Sequence, residues 1–130
     1  MLYAILCYNS EDVVYSWPKE QDDAVMARLS AVQQKLAGAG RLGPVARLMP
    51  TTTATTLRKD REPALVVDGP FAETKEQLLG FYIVECEGLE QALETARELG
   101  NANPGGAYEI RPVAVLNPPG PGFDSRSGKR

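Results

Sequence analysis

The chain has 130 residues, of which 43% are hydrophobic and 24% are charged, and its formal net charge is −3. These values are ordinary for one soluble globular domain, and no apolar run approaches the ~20 residues needed to span a bilayer. The acidic balance without a clustered basic face argues against nucleic acid as a partner. The chain has no histidine, which excludes Ser-His-Asp and Cys-His nucleophiles and histidine metal sites.

The N-terminal third predicts a strand followed by a helix. Residues 2–8 are apolar on both alternating faces, which indicates a strand covered on both sides. No basic region precedes them, so we expect a cytoplasmic protein without a signal peptide. Residues 18–37 predict a helix with Pro18 in its first turn, and its buried stripe contains Val25, Leu29, Val32 and Leu36. Trp17 is either a hydrophobic staple or the wall of a pocket, and we favour the staple.

The rest of the chain predicts strands, a hairpin and a second helix. These elements are a strand at 42–49, a hairpin at 52–68, a strand at 79–87, a helix at 89–99 and a strand at 107–116. Pro44 makes the first of these strands irregular or places it at an edge. The helix has an apolar stripe of Leu89, Ala92, Leu93, Ala96 and Leu99. Residues 117–130 have too few apolar side chains to pack, so we predict a disordered tail.

The order of these elements predicts the fold class. A β-α-β-(hairpin)-β-α-β order is typical of an α+β, ferredoxin-like split βαβ domain, here over residues 1–116 with an inserted hairpin. Both helices would cover one face of the sheet, yet the first and fourth strand-like runs are apolar on both sides. A homodimer that packs the two open faces together accounts for this pattern and leaves a cavity for a ligand. Cys7 and Cys86 lie inside strands and are predicted to be buried free thiols.

The central stretch Asp68-Gly69-Pro70-Phe71, continuing to Glu76, lies between two apolar runs. This stretch predicts a sharp, stiff turn. It combines a short acid (Asp68), a glycine that can take φ > 0 (Gly69), a proline with fixed φ (Pro70) and an aromatic residue (Phe71). Asp68 would end a strand and could face a cleft. In the other interpretation, which we favour, Asp68 caps the turn through its own backbone and Phe71 fills the core beneath it.

This stretch also carries a family resemblance. Residues 68–76, followed by Gly80-Phe81-Tyr82, resemble the signature of DGPF-domain proteins in the YCII-related superfamily, with further matches at 53–57 and 109–112. The resemblance implies a ferredoxin-like fold assembled as a dimeric α/β barrel, bacterial origin, and genes beside those of extracytoplasmic-function sigma factors. Relatives use a histidine-aspartate pair, which cannot be carried over to a chain without histidine.

Two functions follow as hypotheses, and whether the protein is an enzyme stays open. In the first, the protein binds a small molecule in the barrel cavity, and a partly buried Asp68 serves as general acid or base. The other candidate ligand-binding residues are Tyr8, Gly69, Pro70, Phe71, Tyr82 and Arg111, with Tyr108 as a further hydroxyl donor. Arg111 would hold an anionic group or pair with Glu85 or Glu109. In the second, the chain is a non-catalytic module that associates with a sigma factor. No metal or cofactor is predicted.

Overall fold

The computed structural model describes residues 1–123; the rest of the predicted tail, residues 124–130, lies outside them. The strands are β1 (Leu2–Asn9), β2 (Leu42–Arg47), β3 (Thr55–Arg58), β4 (Leu65–Asp68), β5 (Gln77–Glu85) and β6 (Ala107–Pro112). The helices are α1 (Glu11–Val14), α2 (Lys19–Gly38) and α3 (Leu89–Ala102), with a 3-10 turn at Thr51–Thr53. None of these helices is both long and apolar enough to cross a membrane.

The main sheet has four strands in the order β2-β5-β1-β6, and every neighbouring pair is antiparallel. The predicted α+β class is therefore confirmed. Central β1 pairs on both sides, with Ile5 opposite Tyr82 in β5 and Ile110 in β6. Strand β2 lies at an edge, and its register shifts between Leu42 and Val45 around the proline, as the sequence predicted.

The two long helices cover the face of the sheet that carries the odd-numbered residues of β1. The buried core contains Tyr3, Ile5, Cys7, Val25, Leu29, Leu36, Tyr82, Val84, Cys86, Ala92, Ala96, Leu99 and Ala102. The predicted stripe of α2 is confirmed, and both cysteines are free and buried. Leu89 does not belong to the stripe of α3: it is the first helical residue and is 55% exposed, and the buried side chains of this helix begin at Ala92.

The opposite face of the sheet carries the even-numbered residues of β1. Because directly opposed residues of an antiparallel pair share a face, Ala4 lies beside Ile83 and Leu6 beside Phe81 on this side. Leu6 and Phe81 are only partly buried, and neither belongs to the helix-covered core. The central strands β1 and β5 are thus apolar on both faces, while edge strand β6 adds Glu109 and Arg111 opposite Leu6 and Ala4. We call the side with Ala4, Leu6, Phe81 and Ile83 the open face.

The short helix α1 occupies a segment that the sequence analysis treated as a break. The Ser10 hydroxyl accepts a hydrogen bond from the Val13 amide and caps the helix. The Glu11 carboxylate accepts hydrogen bonds from the Thr51 amide at 2.8 Å and its hydroxyl at 2.5 Å, while the Glu11 amide donates to the Gln77 side chain at 2.9 Å. These contacts tie α1 to the 3-10 turn and to the start of β5, which fixes one end of the sheet.

Strands β3 and β4 form the predicted hairpin, which is a two-stranded sheet of its own. The hairpin begins later than predicted because residues 51–53 form the 3-10 turn. Asp68 ends β4, as expected, and Gly69 follows with φ of 108°. Phe71 does not fill the core: it is 75% exposed, with the Arg58 guanidinium 5.3 Å from its ring centre. The hairpin leaves the main sheet, so this ring is not covered by the helix-packed core.

Candidate functional site

A cavity of about 130 Å³ lies between α2 and the strand ends beside it. Its walls come from the end of β1, the middle of β5, the end of β2, helix α2, and the segments beside α1 and β6. The residues that line it are Cys7, Tyr8, Asn9, Val14, Trp17, Met26, Leu29, Gln33, Val45, Ala46, Arg47, Leu79, Gly80, Phe81, Tyr82, Asn103, Gly105 and Tyr108. Most of these residues are apolar, and a few polar groups lie among them, which is typical of a small-molecule site.

Trp17 belongs to this wall and packs against the core. The favoured prediction, a hydrophobic staple, required an apolar residue at the fourth helical position. Pro18 caps α2, so that position is Asp22, whose side chain is polar. The alternative prediction, a pocket wall, is therefore the arrangement in the structure.

Polar side chains lie beside two phenols of the cavity wall. The Asn103 side-chain amide donates to the Tyr108 hydroxyl at 3.0 Å. The Tyr108 hydroxyl in turn interacts with the Cys7 thiol. Gln33 lies beside the Tyr82 hydroxyl in the wall and lowers its pKa, an effect smaller than that of burial.

Burial keeps three groups of the cavity wall protonated at neutral pH, namely the Cys7 thiol and the Tyr82 and Tyr108 phenols. It raises the pKa of the Cys7 thiol to about 12 and the pKa of the Tyr82 phenol to about 12. It also raises the pKa of the Tyr108 phenol. A neutral thiol is a poor nucleophile, and a neutral phenol donates hydrogen bonds but does not abstract protons. These groups are suited to binding a ligand rather than to proton transfer.

Arg47 is the one charged residue among the described residues that line the cavity. Its Nη1 donates to the Met26 sulfur at 3.3 Å, and its Nη2 lies 3.8 Å from the Asp22 carboxylate. The guanidinium lowers the pKa of Tyr82, against the larger effect of burial, so the charge acts on that hydroxyl. Arg47 is therefore the positive group of the wall, with the Asp22 carboxylate as a distant ion-pair partner.

We expect the free energy of unfolding to fall as the pH rises above about 9. The pKa values of Cys7, Tyr82 and Tyr108 are raised on folding from 9.0, 10.0 and 10.0, so the unfolded chain releases these protons first. Their contribution is complete below those unfolded values and is lost as the pH rises through the folded ones. Tyr82→Phe removes one such group. It should reduce the magnitude of the slope of the free energy of unfolding against pH by up to about 1.4 kcal/mol per pH unit.

Urea unfolding at a series of pH values measures this slope. Tyr15→Phe is the matched control, since Tyr15 is 48% exposed and lies outside the cavity, and it should keep the wild-type slope. A Tyr82→Phe variant with the wild-type slope would contradict the assignment of a buried phenol to this position.

Comparison with known proteins identifies the family. The YCII-related domain matches residues 1–117. The chain belongs to the YCII-related family. It is 60% identical over 119 residues to an uncharacterised protein of Rhizobium meliloti, an alignment that covers 91% of this chain and 96% of that protein. The resemblance drawn from residues 68–76 to the YCII-related superfamily is thereby confirmed.

The structure separates the predicted site residues of this YCII-related chain into two groups. Tyr8 and Tyr82 line the cavity. Residues 68–71 belong to the hairpin and the turn that follows it, and none of them lines the cavity. Arg111 lies on β6 and donates to the Glu109 carboxylate at 2.9 Å, one of the two partners that the sequence suggested. That carboxylate holds the pKa of Arg111 above its ordinary value.

Sequence reasoning missed four polar residues of the YCII-related cavity: Asn9, Gln33, Arg47 and Asn103. One signal was present for Gln33. Gln33 follows Leu29 by four residues, so a polar amide lies on the apolar side of α2. Arg47 carried no such signal, because a charged residue at the end of an edge strand is commonly exposed.

Proposed function

We propose that this protein binds a small molecule in the cavity between α2 and the sheet. The observation that carries the proposal is the pairing of apolar walls with the Tyr82 hydroxyl, a neutral donor that lies in the wall beside Gln33 and Arg47. A cavity of about 130 Å³ is already present in the single chain, so a ligand need not open it. Preformed sites of this kind avoid part of the cost of ordering side chains on binding.

The proposal separates binding from acid/base chemistry at Asp68. Asp68 ends a strand of the exposed hairpin, while the cavity wall contains neither aspartate nor glutamate among the described residues. The Cys7 thiol and the Tyr82 and Tyr108 phenols remain protonated near neutral pH, because burial raises the pKa of each of these three groups. We therefore assign recognition of the ligand to the cavity and no proton transfer to Asp68.

A fragment screen tests the proposal. Amide chemical shifts of the ¹⁵N-labelled chain should change on addition of single-ring compounds, and the changes should cluster on residues of the cavity wall. Met26→Trp, which fills the cavity from α2, should weaken binding by at least about tenfold, because the added ring occupies the space of the ligand. Asp68→Asn should leave the affinity unchanged. Binding that survives Met26→Trp but is lost in Asp68→Asn would refute the proposal.

We also propose a homodimeric assembly. With the hairpin set aside, the order β2-β5-β1-β6 supports a ferredoxin-like split βαβ sheet. The open face supports the pairing of two such sheets into a dimeric α/β barrel, because the apolar side chains of its central strands gain stability when a partner covers them. The free buried thiols Cys7 and Cys86 support a reducing, cytoplasmic location.

A second candidate function is a protein-interaction module, such as one that associates with a sigma factor. The exposed apolar side chains of the hairpin and its following turn support it: Leu57 is 59% exposed, Val66 64% and Phe71 75%. Clusters of this kind mark interaction surfaces. This function requires the hairpin and not the cavity, so Met26→Trp would leave it intact.

A further inference from the structure

We infer that the cavity takes a small organic monoanion, in which a carboxylate is attached to a single ring or a short branched chain. The inference rests on the proposed ligand-binding function and names the class of ligand. It follows from three features of the wall: its charge, the hydrogen-bonding capacity that Arg47 retains, and its apolar volume.

The charge of the wall is opposite to that of the chain. The chain has 17 acidic and 14 basic residues, yet the described residues of the cavity wall include one arginine and no acid. A carboxylate that enters this cavity meets no like charge on the wall. A cation would be repelled by Arg47 and would find no carboxylate there to pair with.

The Arg47 guanidinium has donor N–H groups without a strong acceptor among the described residues, whereas the Arg41 guanidinium donates to strong oxygen acceptors. Arg41 donates to the Glu85 carbonyl at 2.9 Å and to the Thr95 hydroxyl at 2.7 Å. Arg47 instead contacts a thioether sulfur, which is a weak acceptor. Its nearest carboxylate, on Asp22, is 3.8 Å away, beyond normal hydrogen-bond length. The guanidinium can therefore offer its planar donors to a carboxylate.

The Tyr82 hydroxyl provides a second donor for the same anion. Its oxygen interacts with Gln33, and the charge of Arg47 acts on it, so the phenol and the guanidinium lie within electrostatic reach of each other. Burial raises the pKa of Tyr82 to about 12, so this proton stays in place at neutral pH. A carboxylate bound between the two would accept hydrogen bonds from both.

The body of the ligand is limited by the rest of the wall. Trp17, Met26 and Leu29 bring an aromatic ring, a flexible thioether and an aliphatic side chain to the cavity. A cavity of about 130 Å³ is of the order that a single benzene ring requires. A nucleotide or another ligand with several rings would not fit without opening the fold.

Three compounds of the same shape test the charge preference: benzoate, benzamide and benzylamine, titrated into the full chain and followed by NMR. We expect benzoate to bind at least about tenfold more tightly than benzamide, and benzylamine more weakly than either. Arg47→Met should weaken benzoate binding at least about tenfold and change benzamide binding by less than about twofold. Arg97→Met removes an exposed arginine that lies outside this cavity, and as the charge-matched control it should change neither.

The outcomes separate this inference from the proposed function. Equal affinities for benzoate and benzamide, with shift changes in the cavity wall, would overturn the anion preference and leave ligand binding in place. No shift change with any of the three compounds at about 10 mM would overturn both. Loss of benzoate binding in Arg111→Met but not in Arg47→Met would move the anion site to β6 and overturn the inference.

Discussion

Gly80→Ala is expected to destabilise the fold by about 3 kcal/mol or more, a large share of the ~5–15 kcal/mol that holds a domain together. A methyl group on Gly80 would lie 2.2 Å from the Ala46 carbonyl oxygen and 3.1 Å from the Arg47 Cα. Both are backbone atoms, so relief requires β2 to move away from β5, where Arg47 opposes Gly80 in the register. Urea unfolding should show a much lower midpoint, or no folded protein.

Gly38→Ala provides the matched control, with the opposite sign. Gly38 is the last residue of α2, and a methyl group there would meet no atom within 4 Å. Alanine should stabilise the chain by up to about 1 kcal/mol, because it restricts the unfolded state without strain. A Gly80→Ala variant with the wild-type midpoint would show that β2 does not approach β5 this closely. If the Gly80→Ala variant folds, we expect it to bind the ligand more weakly than the wild type does, because Ala46 and Arg47 both line the cavity.

Leu6→Glu is expected to convert a dimer into a monomer. Leu6 lies on the open face opposite Phe81 in β5 and Glu109 in β6. If two open faces pack together, a glutamate there buries a charge beside a residue of the same sign, at a cost of several kcal/mol. We expect the dimer to weaken by at least about a hundredfold. Light scattering at micromolar concentration should give twice the subunit mass for the wild type and the subunit mass for the variant.

Leu89→Glu is the control for the dimer experiment. Leu89 is 55% exposed and is the first residue of α3, where a negative charge suits the helix terminus. This variant should remain dimeric. A circular dichroism melt of Leu6→Glu checks that the monomer is folded. A monomeric wild type at micromolar concentration, or a dimeric Leu6→Glu, would contradict the open-face assembly.

The elements that the sequence predicted well are those with strong local patterns. The apolar residues of the α2 stripe recur at helical spacing, and Pro44 marks the irregular edge strand. Helix α1 could not be predicted in this way. It depends on the Glu11 carboxylate, which accepts hydrogen bonds from Thr51, 40 residues further along the chain. A four-residue helix has little stability of its own, so its existence reflects this distant contact.

The candidate site was predictable only in part, for a similar reason. Tyr8 and Tyr82 were recognisable because each lies in a long apolar strand, and both line the cavity. The Asp68 turn was recognisable as a turn, but its direction depends on how the hairpin leaves the sheet. Arg47 reaches the cavity because β2 pairs with β5 in one register, and a single sequence does not encode that register in any short motif.

Because the hairpin forms a separate sheet, we expect its free energy of opening to differ from the free energy of global unfolding. Strands β3 and β4 pair only with each other, and every residue of β4 is exposed. A lone two-stranded ribbon is marginally stable in water, so these strands can open and close while the four-stranded sheet stays intact. Amide protons of β1, which pairs on both sides, are released to solvent only by global unfolding. A denaturation midpoint therefore reports the stability of the four-stranded sheet. The hairpin opens and closes on a shorter timescale, before the sheet unfolds.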